Sequence, residues 1–212
     1  MRDVTMRTAL VKSLNVVTVD VAMRTGLKRV ARYAEAFGLQ KPEPYPSLAL
    51  GTTEATPLAL ASAYTAFANA GVRVEPNVIE QVTDASGMSL IDEAPPARKV
   101  IDPTTAYMIT DMLSDVIDHG TARSARGSVK MTAIAGKTGT ARKVGPNGYD
   151  AERHVAFFAG LAPAIDPRVV VIVVIDEPQG DKFGGGDVAG PVFARVVARA
   201  LRVLNVEPEA AS

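Results

Sequence analysis

Ala133-Ile134-Ala135-Gly136-Lys137-Thr138-Gly139-Thr140 is the stretch from which this chain is best read. Three small or apolar residues lead into a cation, two hydroxyls and a bare backbone. Met131 to Thr140 has the composition of a strand, and a glycine inside a strand marks a bulge or a close backbone approach. A lysine, two threonines and an uncovered peptide edge are also what binding a carboxylate and stabilising an oxyanion require. An ordinary strand with a surface lysine has the same composition. A phosphate-binding loop is the third reading, and it fails on spacing. That loop needs a glycine five residues before the Gly-Lys pair, and Met131 stands there. It also needs a helix after the Lys-Thr, where Arg142-Lys143-Val144-Gly145-Pro146 is a short polar run.

Outward from that stretch, the chain divides into a helical and a sheet-forming part. Before it, Thr5 to Thr25 has apolar residues at helical spacing, and Leu27 to Phe37 is an amphipathic helix stopped by Gly38. Gln40 to Pro46 holds three prolines and reads as a loop. Thr56-Pro57 opens a helix with an N-cap and a proline in its first turn. Val72 to Ile91 alternates weakly about Asp84-Ala85-Ser86-Gly87, a hairpin signal, and Asp92 to Arg98 is a connector. Asp102-Pro103 starts the helix that ends at His119-Gly120. After it, Val155 to Leu161 and Arg168 to Asp176 are apolar strands joined by Ala162 to Pro167. Gly184-Gly185-Gly186 reads as a flexible turn, and Pro191 to Leu204 as a closing helix. Helices, then consecutive strands, then a helix predict an α+β fold with an antiparallel β-sheet flanked by helices.

Bulk composition narrows the function. The 212 residues are 47% hydrophobic, enough for the core of one domain or a large piece of one. Lys+Arg and Asp+Glu are both 23, so no basic surface for nucleic acid is indicated. Without Cys there is no disulfide, thiolate metal site or cysteine nucleophile. His119 and His154 are the two histidines, too few for a His-rich metal site. No metal and no cofactor are expected. Val169 to Ile175 is too short to span a bilayer, and Met1 to Thr8 lacks the apolar core of a signal peptide, so no direct membrane insertion by this chain is expected. Asp176-Glu177 reads as polar residues at a strand exit, since neighbours on a strand point to opposite faces. His119 fits a helix C-terminus, where the dipole favours a cation.

A second motif, Ser13-Leu14-Asn15, is weak alone, because such residues also serve as caps. Together with Lys137-Thr138-Gly139 it is more specific, and the chain resembles the transpeptidase domain of penicillin-binding proteins, whose fold is shared with β-lactamases. The family's pattern is Ser-x-x-Lys, then Ser-x-Asn, then Lys-Thr-Gly. Leu48-Ala49-Leu50-Gly51 with Ala55-Thr56-Pro57-Leu58, and His119-Gly120-Thr121-Ala122, are similar to family segments. Residues 1–139 look most like the bifunctional class A enzymes. Residues 140–212 look like the division-type class B enzymes, through His154 to Gly160, Val173 to Pro178 and Ala189 to Phe193. The first element is missing: no serine here has a lysine three residues on.

The resemblance implies a peptidoglycan DD-transpeptidase that transfers acyl groups from D-Ala-D-Ala stem peptides and binds β-lactams. By the same likeness, Ser13 relays a proton, Asn15 holds the base lysine and the substrate amide, and Lys137 attracts the terminal carboxylate. Thr138 and Thr140 bind that carboxylate, Gly139 admits the substrate backbone, and the Thr140 N–H is half of an oxyanion hole. The chain is read as the C-terminal portion of one such domain, helical over 1–120 and sheet-forming over 121–212. It is expected to be an incomplete domain that exposes apolar surface, inactive alone, and partnered by the N-terminal part that holds the serine. The parent would work at the outer face of the bacterial cytoplasmic membrane. A non-catalytic binding module that keeps the fold is the alternative.

Overall fold

A computed structural model describes residues 3–92, 94–129, 132–145 and 148–207. Its centre is an antiparallel sheet of β5 (Ala135–Gly145), β6 (Gly148–Ala162) and β7 (Val169–Asp176), in the order β5-β6-β7. The register pairs Lys137 with Ala159, Thr138 with Phe158 and Gly139 with Phe157. On the other side of β6, Phe158 pairs with Val173.

Six α-helices accompany that sheet among the described residues. They are α1 (Met6–Lys12), α2 (Asn15–Thr25), α3 (Leu27–Ala36), α4 (Pro57–Ala68), α5 (Pro103–Asp118) and α6 (Gly185–Val203). Helix α6 packs on all three strands, α5 on β5, and α4 on β7 and β6. The core sits between them, with Phe158, Leu161, Ile134, Ile117, Val116, Phe193 and Val197 fully buried. Phe158 of β6 and Phe193 of α6 lie 4.3 Å apart, centroid to centroid. That spacing needs a thin backbone between them: a Cβ on Gly160 would come within 2.8 Å of the Phe193 ring and 2.7 Å of the Ala135 carbonyl. The α+β antiparallel architecture expected from the element order is the one observed.

Local signals placed most helix starts. Thr56 Oγ1 accepts from the Ala59 N–H at 3.1 Å, and Asp102 Oδ1 from the Thr105 N–H at 2.9 Å, each satisfying a donor of a first turn. Pro57 and Pro103 follow as first helical residues.

Four expectations need correction. Thr5 to Thr25 is not one helix: it breaks at Ser13, where φ is +53° and ψ is +50°. The apolar periodicity continues across the break, and so hid it. Asp92 to Arg98 is not only a connector, because Ala97–Lys99 is a strand (β4) that pairs with Val72–Val74 (β1). The expected hairpin is β2 (Gln81–Thr83) with β3 (Ser89–Asp92), a separate small sheet. The polar run Arg142-Lys143-Val144 continues β5 instead of ending it. Gly184-Gly185-Gly186 is no flexible turn: Gly184 caps α6, which begins at Gly185 and carries Pro191 inside it.

Candidate active-site wall

Ser13 is held by what surrounds α1. Arg7 makes ion pairs with both Asp111 and Asp115 of α5. Farther along, α1 abuts the end of α5: a Cβ on Gly120 would sit 2.6 Å from the Val11 carbonyl. Ala9 and Val11 are buried against this contact. The helix then stops at Ser13, whose backbone N–H caps it by bonding back to the Ala9 and Leu10 carbonyls. A left-handed backbone at a non-glycine residue costs energy and persists only where the surroundings fix it. Here the left-handed turn directs the chain into α2, which starts at Asn15.

Strand β5 brings Lys137 to this turn. The Lys137 Nζ donates to Ser13 Oγ at 2.9 Å and to the Thr138 carbonyl at 3.2 Å. Residues 124 positions apart are thus joined by one hydrogen bond. Burial pushes the Lys137 ammonium below the ordinary lysine range, because desolvation disfavours the charged form. Since Ser13 Oγ accepts that bond, its own proton is left to donate elsewhere.

The remaining predicted residues follow along the same strand. Thr138, Gly139 and Lys137 are half-buried, and Thr140 is exposed. Gly139 is wedged: a Cβ there would meet the Phe157 ring at 2.0 Å, so the position stays bare for packing as well as for access. Strand β5 is paired only with β6 among the described strands, which leaves its other edge uncovered by sheet. Asn15 stands exposed at the head of α2, two residues past Ser13. Among the described residues its side chain makes no hydrogen bond with Ser13 or Lys137. The fold therefore gathers Ser13, Lys137 and the Thr138–Thr140 strand, and leaves Asn15 beside them without a shared bond.

Sequence reasoning named the segments behind the strand but gave them no part in the site. Thr121, on the turn after α5, has its hydroxyl 3.2 Å from that of Thr138. The Gly185 N–H, at the start of α6, donates to Thr140 Oγ1 at 3.0 Å. A Cβ on Gly185 would lie 2.4 Å from both the Gly139 and Phe157 carbonyls. The glycine run after a strand was the available signal, but nothing in the sequence says which strand it approaches.

The segment leading to Gly185 is tied down as well. The His154 ring is buried and stacks on Phe183 at 4.3 Å, with Nδ1 2.9 Å from the Glu152 carbonyl. Lys143 bridges Asp176 and Glu177 at 2.8 Å each, and both carboxylates raise its pKa. Asp176 and Glu177 were expected to point apart. Glu177 instead adopts a left-handed φ of +48°, which turns the chain so that both reach one lysine. A cavity of about 410 Å³ between α2, α3 and the 3-10 turn Pro46–Leu50 is lined by Val21, Ala22, Val30, Ala34 and Leu48, and by none of the motif residues.

No group of acidic, His or Cys side chains suited to a metal occurs among the described residues. No helix among them is long and apolar enough to cross a membrane.

The edge strand bearing Lys-Thr-Gly-Thr is thus hydrogen-bonded through its lysine to the serine of the Ser13-Leu14-Asn15 turn. The family model of the penicillin binding protein transpeptidase domain matches residues 1–198, and the chain belongs to that family. It is 35% identical over 217 residues to penicillin-binding protein 1A of Neisseria flavescens, covering 97% of this chain and 25% of that protein. Penicillin-binding protein 1A of Aquifex aeolicus is also 35% identical, over 200 residues, 93% of this chain and 26% of its own. Among solved structures, penicillin binding protein 3 of Mycobacterium tuberculosis complexed with aztreonam superposes with a TM-score of 0.85 at 26% identity, over 98% of this chain and 54% of the other. The transpeptidase domain of Burkholderia pseudomallei penicillin-binding protein 3 gives 0.83 at 29%, over 98% and 67%. The chain thus spans about a quarter of the length of the curated relatives it matches.

Proposed function

We propose that this chain contributes the substrate-side wall of a peptidoglycan DD-transpeptidase site, acting on D-Ala-D-Ala stem peptides and accommodating β-lactams. The observation that carries this reading is the Lys137 Nζ to Ser13 Oγ hydrogen bond of 2.9 Å, which unites two motifs that are weak when separate. Lys137 supplies the cation for a C-terminal carboxylate. Thr138 and Thr140 supply donors for it, and the bare Gly139 lets a substrate backbone lie along the strand. Ser13 relays a proton to the departing amine: it gives up its own, left available by the lysine's bond, and takes up the one that the attacking serine loses through its base. The Thr140 N–H serves as one oxyanion donor, a role typically worth about 3 kcal/mol in the transition state. Asn15 is assigned to the substrate amide and to the lysine of a Ser-x-x-Lys.

That element does not occur in the 212 residues. We therefore assign the chain to the C-terminal portion of one transpeptidase domain. The attacking serine and its lysine come from an N-terminal portion, and the parent protein works at the outer face of the cytoplasmic membrane. A serine hydroxyl is a weak nucleophile without an adjacent base, so the chain alone performs no covalent step.

Fluorescent penicillin tests this. The expected result is no covalent band on a denaturing gel for the 212-residue chain, and a band when a Ser-x-x-Lys-bearing portion is joined to it. That band should weaken at least tenfold in Lys137→Ala and in Ser13→Ala. Labelling of the chain alone overturns the missing-nucleophile reading. Full-rate labelling of both variants overturns the roles given to Lys137 and Ser13. If joining the portion restores no band, the reading as a non-catalytic binding module takes its place.

A further inference from the structure

The two threonines of the wall have hydrogen-bond partners outside both motifs, and those partners constrain which way the hydroxyl protons point. A hydroxyl has one proton to donate and two lone pairs to accept with. Thr140 Oγ1 accepts from the Gly185 N–H, so its proton remains to donate. Thr138 Oγ1 lies 3.2 Å from Thr121 Oγ1, and either can be the donor of that bond. A carboxylate only accepts. When one occupies the wall, Thr138 spends its proton on it, and Thr121 has to be the donor between the two threonines.

Thr121 is exposed, yet its backbone has little freedom to move. A Cβ on Gly186 would sit 2.4 Å from the Thr121 carbonyl and 3.4 Å from Thr138 Cγ2. Ser124 Oγ, in the 3-10 turn Arg123–Ser128, donates to the Gly186 carbonyl, and Gly190 leaves Ser124 just enough room, with a notional Cβ 3.0 Å from its oxygen. Turn, strand and helix start therefore interlock behind Thr138 and Thr140.

We propose that Thr121 is a positioning residue that orients the Thr138 hydroxyl as a donor, giving the wall its preference for a C-terminal carboxylate over an uncharged terminus. This rests on the carboxylate-binding reading above. Thr121 makes no contact with the ligand; it occupies a lone pair of Thr138 and so directs the proton outward. The Gly185 N–H does the same for Thr140.

The probes are Nα-acetyl-D-Ala-D-Ala and its C-terminal carboxamide, titrated into the 212-residue chain by NMR. The wild type should bind the acid more tightly than the amide. Thr121→Val should lower that acid-over-amide preference about fivefold, the scale of one net hydrogen bond, while amide affinity stays unchanged. Thr121→Ser should restore it, and Thr121→Val added to Thr138→Val should have no further effect. Gly186→Ala, which crowds the Thr121 carbonyl, should lower the preference by a second route. An unaltered preference in Thr121→Val overturns the proposal, as does an equal loss of acid and amide binding, which marks a merely structural role. A wild type with no preference overturns the carboxylate reading itself. That failure is separate from the failure of Thr121, which shows only against a wild type that discriminates.

Discussion

Strand β5 and the hairpin β2–β3 are both antiparallel pairs, and they are held in opposite ways. Along β5, Gly136 and Gly139 are bare because the Ala159 carbonyl and the Phe157 ring fill the space where their side chains would be. Lys137 is fixed by Ser13, Thr138 neighbours Thr121, and Thr140 is bonded by Gly185, so each motif residue answers to a different distant element. In β2–β3 every strand residue except Val82 is exposed. That hairpin is held by its own turn: Asp84 Oδ1 accepts from the Ser86 and Met88 N–H groups at 2.8 and 2.9 Å. One pair is specified from outside and the other from within. The externally specified pair carries the chemistry, since a site needs several groups from separate elements at fixed distances.

This contrast predicts unequal responses to mutation. Phe193→Ala, under the sheet, should cost about 4 kcal/mol by removing a fully buried ring that packs on Phe158. Leu90→Ala in the hairpin should stay within about 0.5 kcal/mol, since Leu90 is 61% exposed. Urea denaturation measures both, and equal costs would erase the distinction.

A smaller effect separates the glycines. Gly185→Ala should cost roughly 2–3 kcal/mol, because its new Cβ would meet two backbone carbonyls that cannot rotate away. It should also disturb the Thr140 bond. Gly87→Ala meets no atoms and pays only for its φ of +86°, about 1 kcal/mol. Thermal unfolding of the two variants gives the order, and a costlier Gly87→Ala would reverse the comparison.

Titration gives the smallest effects: a lowered pKa disfavours the charged form of Lys137 and favours that of Asp84, and stability rises with pH through each group's own range. Lys137 has its pKa lowered by burial, so its charged form is disfavoured in the folded chain. The penalty is fully present below the folded pKa and is relieved as pH rises through it toward the free value, so stability from this group increases with pH. Affinity for a carboxylate probe should fall over the same window, beginning below 10.5, the ordinary lysine value. In Lys137→Arg the affinity should persist to higher pH. Asp84 has its pKa lowered first by the Ser86 hydroxyl and then by the Met88 N–H. Its stabilisation is present above the ordinary carboxylate range and is lost as pH falls through the folded value. Binding and amide NMR shifts followed against pH test the pair, and an affinity that does not fall with rising pH below 10.5 would remove the role of the Lys137 charge.

Legibility follows the same division. The Asp84-Ala85-Ser86-Gly87 turn, the Thr56 and Asp102 caps and the apolar strands β6 and β7 were readable, because each is encoded within a few residues. The β1–β4 pairing was not, since Val72 and Lys99 are brought together only when the chain between them folds back. The Ser13 break also escaped, as the apolar periodicity runs through it and only the docking of α1 on α5 favours a left-handed residue there. In the candidate site, the motif residues stood out by type, whereas Thr121 and Gly185 did not. A threonine after a helix and a glycine after a strand have many uses, and neither spacing nor composition points either one at β5.

By itself, the sequence determined many of the helices and strands, the α+β class and the chemical content of the wall: a cation, two hydroxyls and a bare backbone in Lys137 to Thr140, with Ser13 and Asn15 far away. Propensity, capping and periodicity are local properties, so local sequence expresses them. Only the tertiary structure decided that Lys137 reaches Ser13, that Asn15 shares no bond with either, and that Thr121 and Gly185 stand behind the threonines. Those are distances between segments up to 124 residues apart. They are set by how α1, α5 and α6 pack against one sheet, and packing is a property of the whole core.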